Sequence, residues 1–259
     1  MKKSIWIALI AALVLPLGAL ADSHEGAEQP APLTDVWLLV PKRGMEADFA
    51  AAAAKHMAFR VKAGESRTWM VFRPVVGENL AVVQYRSCCF NYADLDANNA
   101  ADAELGLNDD WNENVDQYVD HYHHYFDVAD WENSHWPEGS DGPYFAVTSW
   151  ALKENVGPGP GEARKKFSQM AKKEGWAEGD HNWLWLESIG GKPRLTVVSS
   201  MDSLADLAPE DPSFFEFASE KMGSAEDAMA MFDQFGSGFA NSDFTVWVYD
   251  EELSTPSDD

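Results

Sequence analysis

Two stretches of the chain carry the same β-hairpin pattern, and any fold has to accommodate both. The first runs from Thr68 to Arg86 (TWMVFRPVVGENLAVVQYR), two β-rich runs around a turn at Gly77-Glu78. The second lies roughly 115 residues further on, from Asn182 to Ser200 (NWLWLESIGGKPRLTVVSS), with its turn at Gly190-Gly191. Aligned with one gap, Trp69 falls on Trp183, Phe72 on Leu186 and Gly77 on Gly191, while the run from Leu80 to Val83 falls on Leu195 to Val198. Two units of similar plan are therefore expected.

The flanking segments extend the repeat. Val36 to Val40 has strand character, and Glu46 to Ala63 keeps Phe49, Ala53 and Met57 on one helical face before a stop at Gly64. After the first hairpin, Trp111, Val115, Tyr118, Val119, Tyr122, Phe126 and Ala129 form a stripe that predicts a helix from Asp109 to Ala129. A closing strand would then fall around Asp130 to Trp136, ahead of a turn-rich linker. The second half reads as a strand (Tyr144 to Leu152), a Gly-Pro connector at Gly157 to Gly161, a helix (Glu162 to Glu174) and the second hairpin. A helix from Ser213 to Phe235, weakened at Gly223-Ser224, and a strand from Phe244 to Tyr249 complete it.

A β-α-β-β-α-β order in each half is the ferredoxin-like plan, whose sheet has helices on one face and needs a cover for the other. Two such repeats in one chain resemble the dimeric α+β barrel superfamily. That superfamily includes antibiotic-biosynthesis monooxygenases, NIPSNAP-like and stress-responsive barrels, and the haem-degrading and chlorite-dismutase groups. The resemblance covers Thr34 to Tyr249 and rests on element order and the duplicated hairpin. It implies an α+β fold in which two tandem ferredoxin-like (βαββαβ) repeats pack as an intrachain barrel, a monomer with an internal pseudo-dimer. The expected boundaries are 34-132 for the first repeat, 133-143 for the linker, 144-250 for the second repeat and 251-259 for a frayed acidic tail. Haem-degrading members use a helical His as iron ligand; no matching motif surrounds His121, His123 or His124, and the cofactor is left unknown.

At the start of the chain, Lys2 and Lys3 precede an apolar run from Ile5 to Leu15 and a small-residue site at Ala19-Leu20-Ala21. This predicts a signal peptide over 1-21, a flexible leader over 22-33, and a periplasmic or secreted protein. Losing those two lysines would take the formal charge from −24 to −26. Such an excess of carboxylate repels phosphate backbones and anionic lipid, so nucleic acid is not expected as a partner, nor a membrane after signal cleavage. The only cysteines, Cys88 and Cys89, are adjacent. They can form a vicinal disulfide or remain two inert thiols on opposite sides of a strand.

Two candidate sites emerge. A turn that sets Trp69 opposite Arg86 places Trp69, Val71, Arg73, Gln84 and Arg86 on one strand face; a slip of one residue would exchange the faces. Trp183, Trp185 and Glu187 occupy the corresponding points of the second hairpin. Together these line an expected inter-sheet pocket for a small planar or anionic molecule, with an Arg stabilising negative charge in an oxygenase or isomerase, or a binding protein without catalysis. The competing reading is that the tryptophans fill a barrel and the charges pair at its rim. His121 and His124, one turn apart on the expected helix, could share a metal with Asp120, Asp116 or Asp127, but solvated histidines are the simpler outcome and no metal residues are assigned.

Overall fold

The computed structural model describes residues 30-179 and 181-255, so the expected signal peptide and most of the leader lie outside the described residues. The first half begins with β1 (Leu33–Pro41) and α1 (Glu46–Ala63). Acidic Glu46 and Asp48 open α1 and basic Arg60 and Lys62 close it, as its dipole favours. Gly64, at φ 84°, ends it by donating to the carbonyls of Arg60 and Val61. Then come β2 (Met70–Val76), β3 (Val83–Phe90), the short helices α2 (Leu95–Glu104) and α3 (Leu107–Asn114), and β4 (Val119–Ala129).

The long helix expected from Asp109 to Ala129 is thus a short helix followed by a strand, and the closing strand lies upstream of Asp130. Its sequence, VDHYHHYFDVA, satisfies both periods, since Val119, Tyr122 and Phe126 fit a helical stripe while Tyr122, His124 and Phe126 alternate. Aromatic and β-branched content, together with pairing along the whole of β1, decides for the strand.

The second half contains β5 (Tyr144–Leu152), α4 (Gly159–Lys173), β6 (Leu184–Ile189), β7 (Arg194–Met201), α5 (Phe214–Met222), α6 (Ala225–Gly236) and β8 (Phe239–Tyr249). The break at Gly223-Ser224 is real: Gly223 takes φ 70°, and the Ser224 hydroxyl caps α6 by accepting from the Asp227 amide. The Gly-Pro stretch is more than a connector, because Gly159 and Pro160 form the first turn of α4.

All eight strands close into one antiparallel barrel in the order β1-β3-β2-β8-β5-β7-β6-β4. The fold is α+β, with six helices among the described residues. Two seams join the halves: β2 with β8 (Phe72 beside Tyr249) and β4 with β6 (Asp127 beside Ser188). On the outer face α1 sets Phe49, Ala53 and Met57 against Leu39, Val71, Val83 and Tyr85. In the second half Trp183, Trp185 and Leu195 lie under α4 and α6. The inward face is partly polar. There Arg86 Nη2 bonds Asp127 Oδ2 at 2.8 Å, and Arg194 stacks over Tyr125 at 4.7 Å.

The end of the second half returns to the first. β8 reaches β2 only from Phe72 onward, which would leave the backbone of Trp69 and Val71 without partners. Residues 250-255 supply them. The Asp250 amide donates to Val71 O at 2.8 Å and the Thr255 amide to Trp69 O at 2.8 Å, while Thr255 Oγ1 and Ser254 Oγ accept from the Trp69 and Val71 amides. Leu253, 2 % exposed, enters the α1 core. The segment expected to fray is therefore a strap, at least to Thr255. Leu253→Ala should cost about 2–4 kcal/mol, read as a lower urea midpoint with unchanged slope; an unshifted midpoint would remove the strap from the core.

Candidate functional site

Between the outer face of the first half and α1, α2 and α3 lies a cleft of about 580 Å³. Strand alternation supplies its floor: Trp37 and Leu39 from β1, Tyr85 from β3, and Tyr122, His124 and Phe126 from β4 all face outward. Met57 and Arg60 of α1, Leu95 of α2 and Trp111 of α3 form the opposite wall, and Asn98, Asn99 and Asn108 place amides at the rim. The rings hold one another. His124 stacks on Trp37 at 4.0 Å, and Trp111 lies edge-on to His56 at 5.0 Å. Trp111 Nε1 donates to Tyr122 Oη at 3.0 Å, and that hydroxyl donates to Asp116 at 2.6 Å. Burial first, and Asp116 second, raise the Tyr122 pKa and keep this proton in place.

A chain of ionisable groups runs along one wall. Asp110 Oδ2 lies 2.7 Å from His56 Nδ1, and His56 Nε2 lies 3.1 Å from Arg60 Nη1. Arg60 and Arg67 converge on Glu65 (Arg60 Nη2 to Oε1 2.6 Å, Arg67 Nε to Oε1 2.8 Å), and both guanidiniums lie over the Trp69 ring. Arg67 also pairs with Asp102 and approaches Asp35, which bonds His124 Nε2 at 2.9 Å. A guanidinium can only donate, so His56 Nε2 is the acceptor and Nδ1 carries the proton given to Asp110. His56 is 1 % exposed. Its pKa is lowered chiefly by burial, against the pull of Asp110 and with help from Arg60, so the ring is neutral. His56 and Asp110 also border a second, smaller groove between α1 and α3.

The expected pocket residues do not come together. The hairpin pairs Met70 with Arg86 and Phe72 with Gln84, one residue out of the expected register. Trp69 and Arg73 therefore face outward while Gln84 and Arg86 face into the barrel. Trp69 borders the cleft, and Arg73 pairs with Asp250. Arg86 is held by Asp127. Trp183 and Trp185 are buried under the second-half helices, their indole N–H groups bonded to Asn133 O and Ser168 Oγ. Glu187 binds Arg164 at 2.7 Å. His121 and His124 lie on a strand and point to opposite faces, so they cannot share a metal. Cys88 and Cys89 are disulfide-bonded to each other.

His56, Arg60, Asp110, Trp37 and Trp111 were not foreseen as a site. His56 interrupts the apolar face of α1 between Ala53 and Met57, and that is its sequence signal. Asp110, its partner, is distant in sequence. In the second half the corresponding space is filled: Phe167 contacts Phe214, Phe232 and Phe235 at ring separations of 5.8, 4.7 and 5.6 Å, and Trp150 contacts Trp185 and Phe235.

No protein-family model matches the chain, and no curated protein matches it. Solved structures do. A mutant chlorite dismutase from Candidatus Nitrospira defluvii in complex with cyanide superposes with a TM-score of 0.50 at 8 % identity, over 87 % of this chain and 93 % of that one. A second mutant of that protein gives 0.50 at 10 % identity, over 87 % and 95 %. An anthrone oxidase-like protein aligns over 89 % and 95 % at 14 % identity with a TM-score of 0.47. At these identities the likeness establishes the dimeric α+β barrel fold and nothing of the chemistry.

Of the two histidines that border the cleft, His56 has both nitrogens bonded, to Asp110 and Arg60, and His124 has Nε2 bonded to Asp35.

Neutral His56 has a measurable consequence. The folded chain binds its proton less readily than the unfolded chain, so the associated stability is complete above about pH 6.5 and is lost as the pH falls through and below that value. The urea midpoint should fall between about pH 6.5 and 5, and His56→Gln should flatten that part of the profile. His135 is also depressed by burial, so the difference between the two proteins is the informative quantity. Glu65 would contribute only below its ordinary 4.5, because Arg60 and Arg67 outweigh the burial that would raise it. Superimposable profiles would show that folding leaves the proton affinity of His56 unchanged.

Proposed function

We propose that the chain is an exported, monomeric pair of ferredoxin-like repeats that binds a small planar molecule in the first-half cleft and acts on it without a bound cofactor. Supporting two repeats, the strands of each half fall in the same spatial order, β4-β1-β3-β2 and β8-β5-β7-β6. β1 and β5 are each nine residues long, and β4 and β8 each eleven. Each hairpin turn also packs on the last strand of the other half: a Cβ on Gly77 would meet Thr245 Oγ1 at 3.0 Å, and one on Gly190 would meet the Tyr125 Cα at 3.6 Å. Export rests on the leader sequence, and a native protein whose measured mass does not begin at Asp22 would refute the cleavage assignment.

The observation that carries the activity is a neutral, carboxylate-backed histidine on the wall of an aromatic cleft. His56 Nε2 is the basic nitrogen, and Asp110 stabilises the imidazolium that forms when it takes a proton. Arg60 now donates to that nitrogen. A substrate with an acidic C–H or O–H would take its place beside Nε2, leaving the Arg60 N–H free to donate to the oxyanion produced. Returning the proton at another carbon is isomerisation; reaction of the carbanion with dioxygen is oxygenation. Arg60 and Arg67 are opposed by Glu65, Asp102 and Asp35, so a neutral planar molecule fits better than an anion. Specifically favouring binding alone is the guanidinium already seated on Nε2.

Neutral quinone-like or phenolic aromatics should quench tryptophan fluorescence. Trp111→Ala should weaken binding by about tenfold, roughly 1.4 kcal/mol. His56→Gln should retain binding and lose on the order of 100-fold or more in turnover. Binding without turnover in the native protein leaves the binding function alone, and turnover unaffected by His56→Gln excludes that residue as base.

A further inference from the structure

The histidines of β4 acquire a different partnership on a strand than they would on a helix. His121 and His123 are separated by one residue and share a face, beside Val40 and Leu38 of β1, while Tyr122 and His124 point the other way into the cleft. β6 pairs only with Phe126 to Ala129 of β4, so no strand crosses the edge at His121 and His123, and both side chains are exposed. We propose that His121 and His123 chelate a late first-row divalent cation, copper(II) in preference to zinc, at this mouth of the barrel.

Three features carry the assignment. The ring centroids stand 5.4 Å apart at an interplanar angle of 84°. Two imidazole nitrogens, each about 2.0–2.1 Å from one metal, put their centroids about 4.5 Å apart at the right angle that copper(II) favours and about 5 Å apart at a tetrahedral angle, so a movement of the rings by about 1 Å brings both onto one copper ion. Asp120 Oδ2 lies 2.8 Å from His121 Nδ1. That carboxylate fixes the proton on Nδ1 and leaves Nε2 for the metal, the supporting contact that metal-binding histidines use. Finally, the formal charge of −24 draws cations to the surface. Arg194, stacked on Tyr125 two residues along the same face, is an opposing charge on this side of the barrel.

No third His, Cys, Asp or Glu completes a cluster among the described residues. Water would fill the remaining positions, giving an open, exchangeable site and not a structural one. Two nitrogen donors of this kind follow the Irving–Williams order, in which copper(II) is held most tightly.

The test is titration with copper(II) alone of the purified full chain carrying His24→Ala, because a chain cleaved before Asp22 would offer its own amine and His24 to copper(II), followed by electron paramagnetic resonance. One equivalent should bind with hyperfine coupling to two imidazole nitrogens. His121→Ala and His123→Ala should each weaken it at least tenfold and leave one-nitrogen or no-nitrogen spectra, and Asp120→Asn should weaken it while keeping both nitrogens. All three positions are exposed, and far-ultraviolet circular dichroism confirms that the variants fold. A native spectrum with oxygen donors only, or a His121→Ala/His123→Ala double variant with native affinity, would mean adventitious binding by surface carboxylates and would overturn the assignment.

Discussion

Closure of the barrel is the constraint on which the rest depends. A four-stranded sheet with helices on one face has two unpaired edges, each a template for pairing with another chain, and one face that no helix covers. The seams β2–β8 and β4–β6 remove the edges, and the same step turns the bare faces inward toward each other. Because the seams are hydrogen-bonded and antiparallel, the two halves cannot hinge apart without breaking a ladder. The strap over Trp69 and Val71 finishes the one stretch of β2 that the seam does not reach, tying the chain's end to the core beneath α1.

The cleft of the first half lies outside the barrel, between strands and helices. Whether a half keeps such a cleft depends on how completely the helices cover their sheet. In the first half the second helical segment breaks into α2 and α3 around Gly106, at φ 69°, and the wall they form carries Asn98, Asn99, Asp102 and Asn108. Polar side chains do not interdigitate with an aromatic floor, and a cleft remains. In the second half α5 and α6 carry Phe214, Phe232 and Phe235 against Phe167, and the space closes.

The two hairpins were legible because Trp69 and Trp183, with the runs that follow them, are under the same demand: each must lie beneath a helix on the outer face. The barrel and its element order follow from that demand. Facing was lost at a single step. A turn confined to Gly77-Glu78 predicts Trp69 opposite Arg86, whereas the loop extends to Val82 and pairs Met70 with Arg86; one residue of register put Trp69 and Arg73 on the opposite face from Gln84 and Arg86. The β4 segment failed for another reason, since eleven residues rich in Tyr and His satisfy a period of 3.6 nearly as well as a period of 2, and only pairing with β1 separates them. The cleft was least legible of all. His56 and Asp110 belong to different helices, and no local pattern announces that their side chains meet.

The unequal halves fit together energetically. The ring cluster around Phe167, Trp150 and Trp185 concentrates large apolar burial where each ring is worth most, in close-packed edge-to-face contact. The first half instead spends part of its interior on groups that are costly to desolvate: a buried neutral histidine, two guanidiniums and the carboxylates that oppose them. Since the seams make the barrel one cooperative body, the well-packed half can offset the strain of the other, and the hollow, charged cleft is maintained by contacts on the far side of the barrel. In a chain holding only the first half, the same cleft would have neither its seam partners nor its strap. Its polar wall would then be the first part to collapse.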